Sequence, residues 1–266
     1  LRSKFLGKYI PKIKNSSKHF YSYIEEQGEV ISSIMTEELF EKFLKEAKNF
    51  WVINEDKLYK EKFFVKCKDF YLEKTKQRVA LFNEELKRLD AFKFINDKKT
   101  EPIEHIINKL NWKSIYNGVA GNFHGDFHFE NIIYQRKKDK FIFLDWRQDF
   151  GGEIKYGDIY YDFAKLLHGM IINHKVINEG NFVIKLEKEH AYFDFYRLDS
   201  LIKCEKQFIS WLKENHFDVN KVIILTALIF INIAPLHHSP YNQLLLLLGK
   251  SILGETINIE NKNLKI

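Results

Sequence analysis

The period of the apolar residues changes at Thr36, and that change decides what this chain can fold into. Before it, Tyr9-Ile-Pro-Lys-Ile-Lys and His19-Phe-Tyr-Ser-Tyr-Ile24 alternate around Asn15-Ser-Ser17, which reads as two short strands and a turn. Gln27-Gly28 breaks that pattern. After it, Leu39, Phe40, Phe43, Leu44, Ala47 and Phe50 mark one face of a helix, with Thr36 placed to cap it and Glu37 and Glu38 in its first turn. A second helix is expected over 58–78, with Tyr59, Phe63, Cys67, Phe70 and Tyr71 on its apolar side, and a shorter one over 102–110. The loop Asn117-Gly-Val-Ala-Gly-Asn122 then precedes a hairpin, in which Ile132-Ile-Tyr134 and Phe141-Ile-Phe-Leu144 flank a charged turn. Helix over 158–174, a second hairpin over 182–185 and 191–195, and helices over 198–212, 219–234 and 241–253 complete the order. No repeat is visible. Strands, a helical body, a central hairpin and more helices predict an α+β fold, not alternating βαβ units.

Composition narrows the function. The 42 basic residues outnumber the 36 acidic ones, but only six are Arg, and the lysines are interleaved with Glu and Asp. That is a solvated surface, so nucleic-acid binding is not expected. The two cysteines, Cys67 and Cys204, form no framework or C-x-x-C pair, and a reduced, cytoplasmic setting is the expectation. The most apolar stretch, 222–234, is shorter than a membrane span requires, so no membrane span is expected and a buried core helix is predicted there. The chain opens Leu-Arg-Ser-Lys, without Met or a signal-peptide layout, which suggests a fragment of a longer protein.

The chemistry concentrates in Phe123-His-Gly-Asp-Phe-His-Phe-Glu-Asn-Ile132. Asp145, fourteen positions after Asn131, closes an apolar strand in Leu144-Asp-Trp-Arg147. Asp126, Asn131 and Asp145 in this order suit phosphoryl transfer: one carboxylate orients and deprotonates an alcohol, while an amide oxygen and a second carboxylate hold Mg²⁺.

On these residues the chain resembles the aminoglycoside phosphotransferase and choline kinase superfamily. His124-Gly125-Asp126 and Asn131 match its catalytic segment, and Asp145-Trp146 its metal-binding strand end. Gly157-Asp158-Ile-Tyr-Tyr-Asp162-Phe-Ala164 approximates its later signature, with Phe in place of Leu. The resemblance implies a protein-kinase-like fold and ATP- and Mg²⁺-dependent transfer to the hydroxyl of an amino-alcohol, sugar or aminoglycoside. It makes Asp126 the catalytic base, Asn131 and Asp145 the metal ligands, and His124 and Asp158 the supports of the catalytic loop. Tyr21, Ser22, Tyr23 and Ile24 take the place of the nucleotide hinge, with Gly28 and Glu29 leading out of it.

The chain departs from the family before that hinge. About twenty residues stand there without a Gly-rich loop, and Lys8 and Lys12 lie too near the hinge to serve as the family's phosphate lysine. The expected organisation is therefore a remnant of N-terminal lobe strands and hinge over 1–35 and a mostly helical C-terminal lobe over 36–266, with most of the N-terminal lobe missing. The competing function is a catalytically silent binding or scaffold lobe. Arg147, His128 and Glu130 are candidates for substrate or phosphate contact. His124, Asp126 and His128 also spell a metallohydrolase-like cluster, but it lacks further ligands and suits Zn²⁺ poorly. Trp146, Tyr156, Tyr160 and Tyr161 suit a packed core better than a box for a quaternary ammonium. His237-His238 reads as exposed loop, and both cysteines as inert.

Overall fold

The computed structural model describes residues 2–17, 20–54 and 56–263. The first hairpin pairs Ile13–Ser16 with Tyr21–Tyr23 in antiparallel register, with an irregularity between Ile13 and Asn15. The expected strand start at His19 lies outside the described residues, as does Leu1. Strand structure does not begin at Tyr9: Gly7–Tyr9 is a 3₁₀ turn, and the Tyr9 ring packs against Phe50 and Phe143 at centroid distances of 5.2 and 5.4 Å. Leu6, Ile10, Ile31 and Met35 enter the same apolar core as the residues after Thr36.

The helix Glu37–Phe50 starts where the period changes. Thr36 accepts a hydrogen bond from the Leu39 amide at 3.2 Å, and Phe40, Phe43, Leu44, Ala47 and Phe50 are buried. The next helix, Lys57–Lys68, runs through a π-helical turn at Asp69–Glu73 into a last helical stretch, Lys74–Val79. Phe63, Cys67, Phe70 and Tyr71 face inward as the pattern predicted.

The central hairpin pairs Ile132–Gln135 with Lys140–Phe143, in register from Ile132 opposite Phe143 to Gln135 opposite Lys140. Glu29–Val30 adds a third strand beside Ile132–Gln135. A second, four-stranded sheet joins the hairpin of Phe182–Glu187 and His190–Phe195 to Phe94–Ile95 and Lys98–Lys99. The two short strands near 95 are not marked by any apolar alternation; Phe94–Ile95 is set by its pairing with His190 and Ala191, far later in the chain, and Lys98–Lys99 folds back on it.

Helices fill the rest: Glu84–Asp90, Ile103–Lys109, Ile159–Ile171, Asp199–Glu214, Val219–Ile233 and Tyr241–Asn263 are the main ones. Among the described residues one stretch, Val219–Leu236, is long and apolar enough to cross a membrane. It packs against Ile159–Ile171 and Tyr241–Asn263, which bury most of it, as the core-helix expectation required. The small sheets and the helical body together are a mixed α+β fold.

Candidate active site

Two features of the sequence position the loop between Phe123 and Asn131. Phe127 and Phe129 alternate with Asp126 and His128, and both phenylalanines are fully buried. Phe127 stands 4.7 Å from Phe143 and 5.5 Å from Phe43, centroid to centroid, and Phe129 stands 5.8 Å from Phe40. Each such ring contributes about 1.5–3 kcal/mol by burial alone. Anchoring the apolar residues leaves Asp126 and His128 on the polar side. Gly125 is the second feature: its φ of +86° is left-handed, and a Cβ there would lie 2.5 Å from Arg147 Cβ.

The loop is held from below by Asp162. Its two carboxylate oxygens accept the His124 and Gly125 amides, each at 2.7 Å, and Oδ2 also accepts Trp51 Nε1 at 3.0 Å. Burial pushes the Asp162 carboxyl up to about 6, against the opposing pull of those three donors. The support expected of Asp158 therefore falls to Asp162, one helical turn further on. Asp158 caps the helix and binds elsewhere, accepting from the Val119 amide at 2.9 Å and Tyr71 Oη at 2.8 Å, with Lys221 Nζ at 3.5 Å. His124 is fully buried under the loop, where desolvation lowers its pKa to about 3; the neutral ring accepts the Asp126 amide at Nδ1. A ring nitrogen used that way is not a metal ligand, and among the described residues no group of three His, Cys, Asp or Glu is placed to hold a metal.

Asp126 and Asp145 line one cleft of about 240 Å³, together with Lys74, Arg78, Arg147, Tyr161 and Lys165. Asn131 joins them through its amide, donating from Nδ2 to the Asp126 carbonyl at 2.9 Å and to its Oδ2 at 3.2 Å. Lys165 Nζ stands 2.7 Å from Asp126 Oδ1 and His128 Nε2 stands 3.6 Å from Oδ2. Burial alone would raise the Asp126 carboxyl, but the His128 hydrogen bond and the Lys165 charge hold it well below the usual carboxylate range. The group is an ionised base over the whole neutral range.

Asp145 differs from every other carboxylate near the loop. It is exposed, adopts a left-handed φ of +51°, and has no hydrogen bond or ion pair among the described residues. An exposed carboxylate with no protein partner, at the edge of this cleft, is free to take a hard cation. The side-chain bonds of Asn131 all use Nδ2, which leaves Oδ1 for the same cation. Two hard oxygens of this kind, completed by water and phosphate, suit Mg²⁺.

The other expected contacts divide. Arg147 lines the cleft. His128 touches Asp126 without lining it. Glu130 is turned away, accepting Ser32 Oγ at 2.9 Å, because its place in the 3₁₀ turn Phe129–Asn131 points it at the helix Ile31–Ile34. Of the hinge residues, Tyr21 stacks on Trp146 at 5.3 Å and feels the Asp145 charge, which raises its pKa after burial; Ser22 and Ile24 are exposed, and Tyr23 pairs opposite Ile13. The four aromatics considered as a box are scattered: Tyr156 packs on Tyr59, Tyr160 on Phe217 and Tyr161 on Phe70.

Sequence reasoning passed over Lys165, Lys74 and Arg78. Lys165 carried a signal, because Asp158, Tyr161, Asp162 and Lys165 recur at helical spacing on the face opposite Phe163 and Leu166. Lys74 and Arg78 carried none, since the π-helical turn before them resets which side of the helix they occupy.

With this geometry in hand, the comparison with protein families is specific: residues 69–186 match the model described as the phosphotransferase enzyme family, in keeping with the aminoglycoside phosphotransferase and choline kinase superfamily. The matched segment runs from the π-helical turn into the first strand of the second hairpin, and so contains the cleft residues from Lys74 to Lys165. Compared with curated proteins and with solved structures, the chain has no significant match.

Proposed function

We propose that this chain carries the catalytic loop and metal ligands of an ATP-dependent kinase acting on the hydroxyl of a small molecule, on a protein-kinase-like scaffold. The observation that carries the reading is the meeting of Asp126 and Asp145 in one cleft, with Asn131 bonded to Asp126. In the reaction, the acceptor oxygen forms a new bond to the γ-phosphorus of ATP as the bond to the β,γ-bridging oxygen breaks. ADP leaves with the bond's electron pair, and the hydroxyl proton passes to Asp126 Oδ.

Asp126 suits that role because it is ionised and within reach of the cleft, and a positioned base of this kind contributes about 10²–10⁴-fold. Lys165 holds Oδ1 of Asp126 while Asn131 and His128 hold Oδ2, so the carboxylate is fixed in place and the acceptor hydroxyl uses a remaining lone pair. Asp162 fixes the loop by its backbone, so Asp126 needs little rearrangement to meet the transition state. Asn131 Oδ1 and Asp145 would hold Mg²⁺, which when bound neutralises charge on the phosphate oxygens.

A silent binding lobe is the second reading. It is favoured by Lys8, a lysine before the hinge strand, whose ammonium is occupied by Glu46 at 3.1 Å. Phosphorus NMR of ATP consumption with hydroxyl acceptors separates the two. The kinase reading expects Mg²⁺-dependent phosphate-ester formation that falls at least 10²-fold in Asp126→Asn while nucleotide affinity is kept. No ester in the wild type, or full turnover in the variant, contradicts it.

A further inference from the structure

The cleft holds more positive charge than its proposed chemistry uses. Four cations line it, Lys74, Arg78, Arg147 and Lys165, against two carboxylates. Lys165 is paired with Asp126. Asp145, under the proposed function, is committed to a metal. Lys74, Arg78 and Arg147 then remain, and among the described residues none of the three has a carboxylate within ion-pair distance. We infer that the acceptor alcohol is itself an anion, whose phosphate or carboxylate seats among Lys74, Arg78 and Arg147; this rests on the cleft being the phosphotransfer site.

Two of the three side chains are placed by contacts with aromatic rings. Lys74 is half-buried, donates to Tyr161 Oη at 3.3 Å, and lies 4.6 Å from the centre of the Phe70 ring. Arg147 lies over the same ring, at 5.1 Å. Phe70, within the π-helical turn, thus touches two of the cations that line one cleft. A half-buried ammonium without a counter-ion is unfavourable, and burial together with Arg147 and Lys165 lowers the pKa of Lys74. Tyr161 records the same field: burial should raise its phenol, yet Lys74, Lys165 and Arg147 bring it below its ordinary value. An anion entering this space would relieve all of these costs.

The same lining includes Ile229, Ile233 and Leu236. Cations and aliphatic side chains together in a small cleft suit a short carbon skeleton bearing one acidic group and one reactive hydroxyl. It opposes the cationic acceptors that the family resemblance suggested, since choline or an aminoglycoside would be repelled by three unneutralised charges and would find no aromatic box.

The test is calorimetric titration of the whole chain with inorganic phosphate, with choline and with Mg·ATP, for the wild type, Lys74→Met and Arg147→Gln. Phosphate is expected to bind, choline is not, and each variant should weaken phosphate at least fivefold while Mg·ATP affinity stays within twofold. Arg147 is exposed, so its variant keeps the test sound if Lys74→Met does not fold. Phosphate binding absent from the wild type, binding untouched by Arg147→Gln, or preference for choline would overturn the inference. A parallel loss of Mg·ATP affinity would also overturn it, by giving these cations to the nucleotide. Absence of ATP binding in the wild type bears instead on the proposed function, and leaves the phosphate result to stand or fall separately.

Discussion

A wider hollow of this molecule and its candidate active site lie in different places. The hollow, about 760 Å³, runs beside the second sheet and is lined by Asn181, Phe182, Val183, Asp194, Phe195, Tyr196, Arg197 and Ile202. The cleft around Asp126 has about a third of that volume. What separates them is how charge is satisfied. In the hollow, Arg197 pairs with Glu205 and donates to the Met170 carbonyl, and Asp194 accepts the amide of Phe195. In the cleft, Asp145, Lys74, Arg78 and Arg147 all lack an ionic partner among the described residues. A fold that leaves four charges uncompensated in one concavity is arranged for something that arrives later. Volume marks space; unpaired charge marks chemistry.

The contrast should be easiest to break beneath the cleft. Asp162→Ala removes the acceptor of the His124, Gly125 and Trp51 donors, and orphaning buried donors costs roughly 1–3 kcal/mol each. A loss of about 4 kcal/mol in urea unfolding is expected, with transfer activity lost as the loop slackens. A change under 1 kcal/mol would mean that Asp162 does not hold the loop. Phe127→Ala should cost about 3–4 kcal/mol, because it opens a cavity between the loop and the hairpin.

Acid should expose the same region. His124 binds its proton only near pH 3 when folded, whereas a free histidine does so near 6.5. Below 6.5 the unfolded chain therefore takes up more protons, and stability present above that pH is lost as it falls towards 3. Between pH 7 and 5 this one group removes about 2 kcal/mol. Comparing unfolding at both pH values for the wild type and His124→Gln checks it: the variant's own loss should be smaller by about that amount. An equal loss in both would show that folding does not shift the titration of His124.

Lys165→Met sharpens the comparison from the cleft side. Without its ammonium the Asp126 carboxyl should titrate higher, and carbon NMR of labelled aspartate would read the shift directly. An unmoved titration would detach Lys165 from the base. The smallest effect belongs to the hollow. Val183→Ser and Tyr196→Ser, both at exposed positions, are expected to change stability by no more than about 0.5 kcal/mol and transfer not at all. A strong effect on transfer would move attention to the larger space.

Much of the fold was legible because local pattern and tertiary packing agree. Thr36 caps the helix its sequence announces, and the hairpin from Ile132 to Phe143 pairs as its alternation predicts. The short strands near Phe94 were not legible, since the first is defined by its distant partner His190–Phe195 and the second pairs only with the first. In the site, spacing alone brought Asp126, Asn131 and Asp145 to notice, because a loop and a hairpin bind them within twenty residues. Asp158 and Asp162 are where such reading falls short. Both are buried acidic residues one turn apart on a helix, and only the direction of the neighbouring amides separates the loop's support from the helix's cap. The cations of the cleft were hidden for a further reason: Lys74 and Arg78 lie some fifty residues before Asp126, in a lysine-rich stretch that reads as ordinary surface.

The most direct measurement concerns Asp145, the unpaired carboxylate on which the metal assignment turns. Calorimetry of ATP binding should be run with Mg²⁺ and with EDTA, on the wild type, Asp145→Ala and Asp126→Asn. The account predicts binding that depends on Mg²⁺ in the wild type and in Asp126→Asn, and that loses this dependence in Asp145→Ala. Mg²⁺-dependent binding that persists unchanged in Asp145→Ala would contradict it.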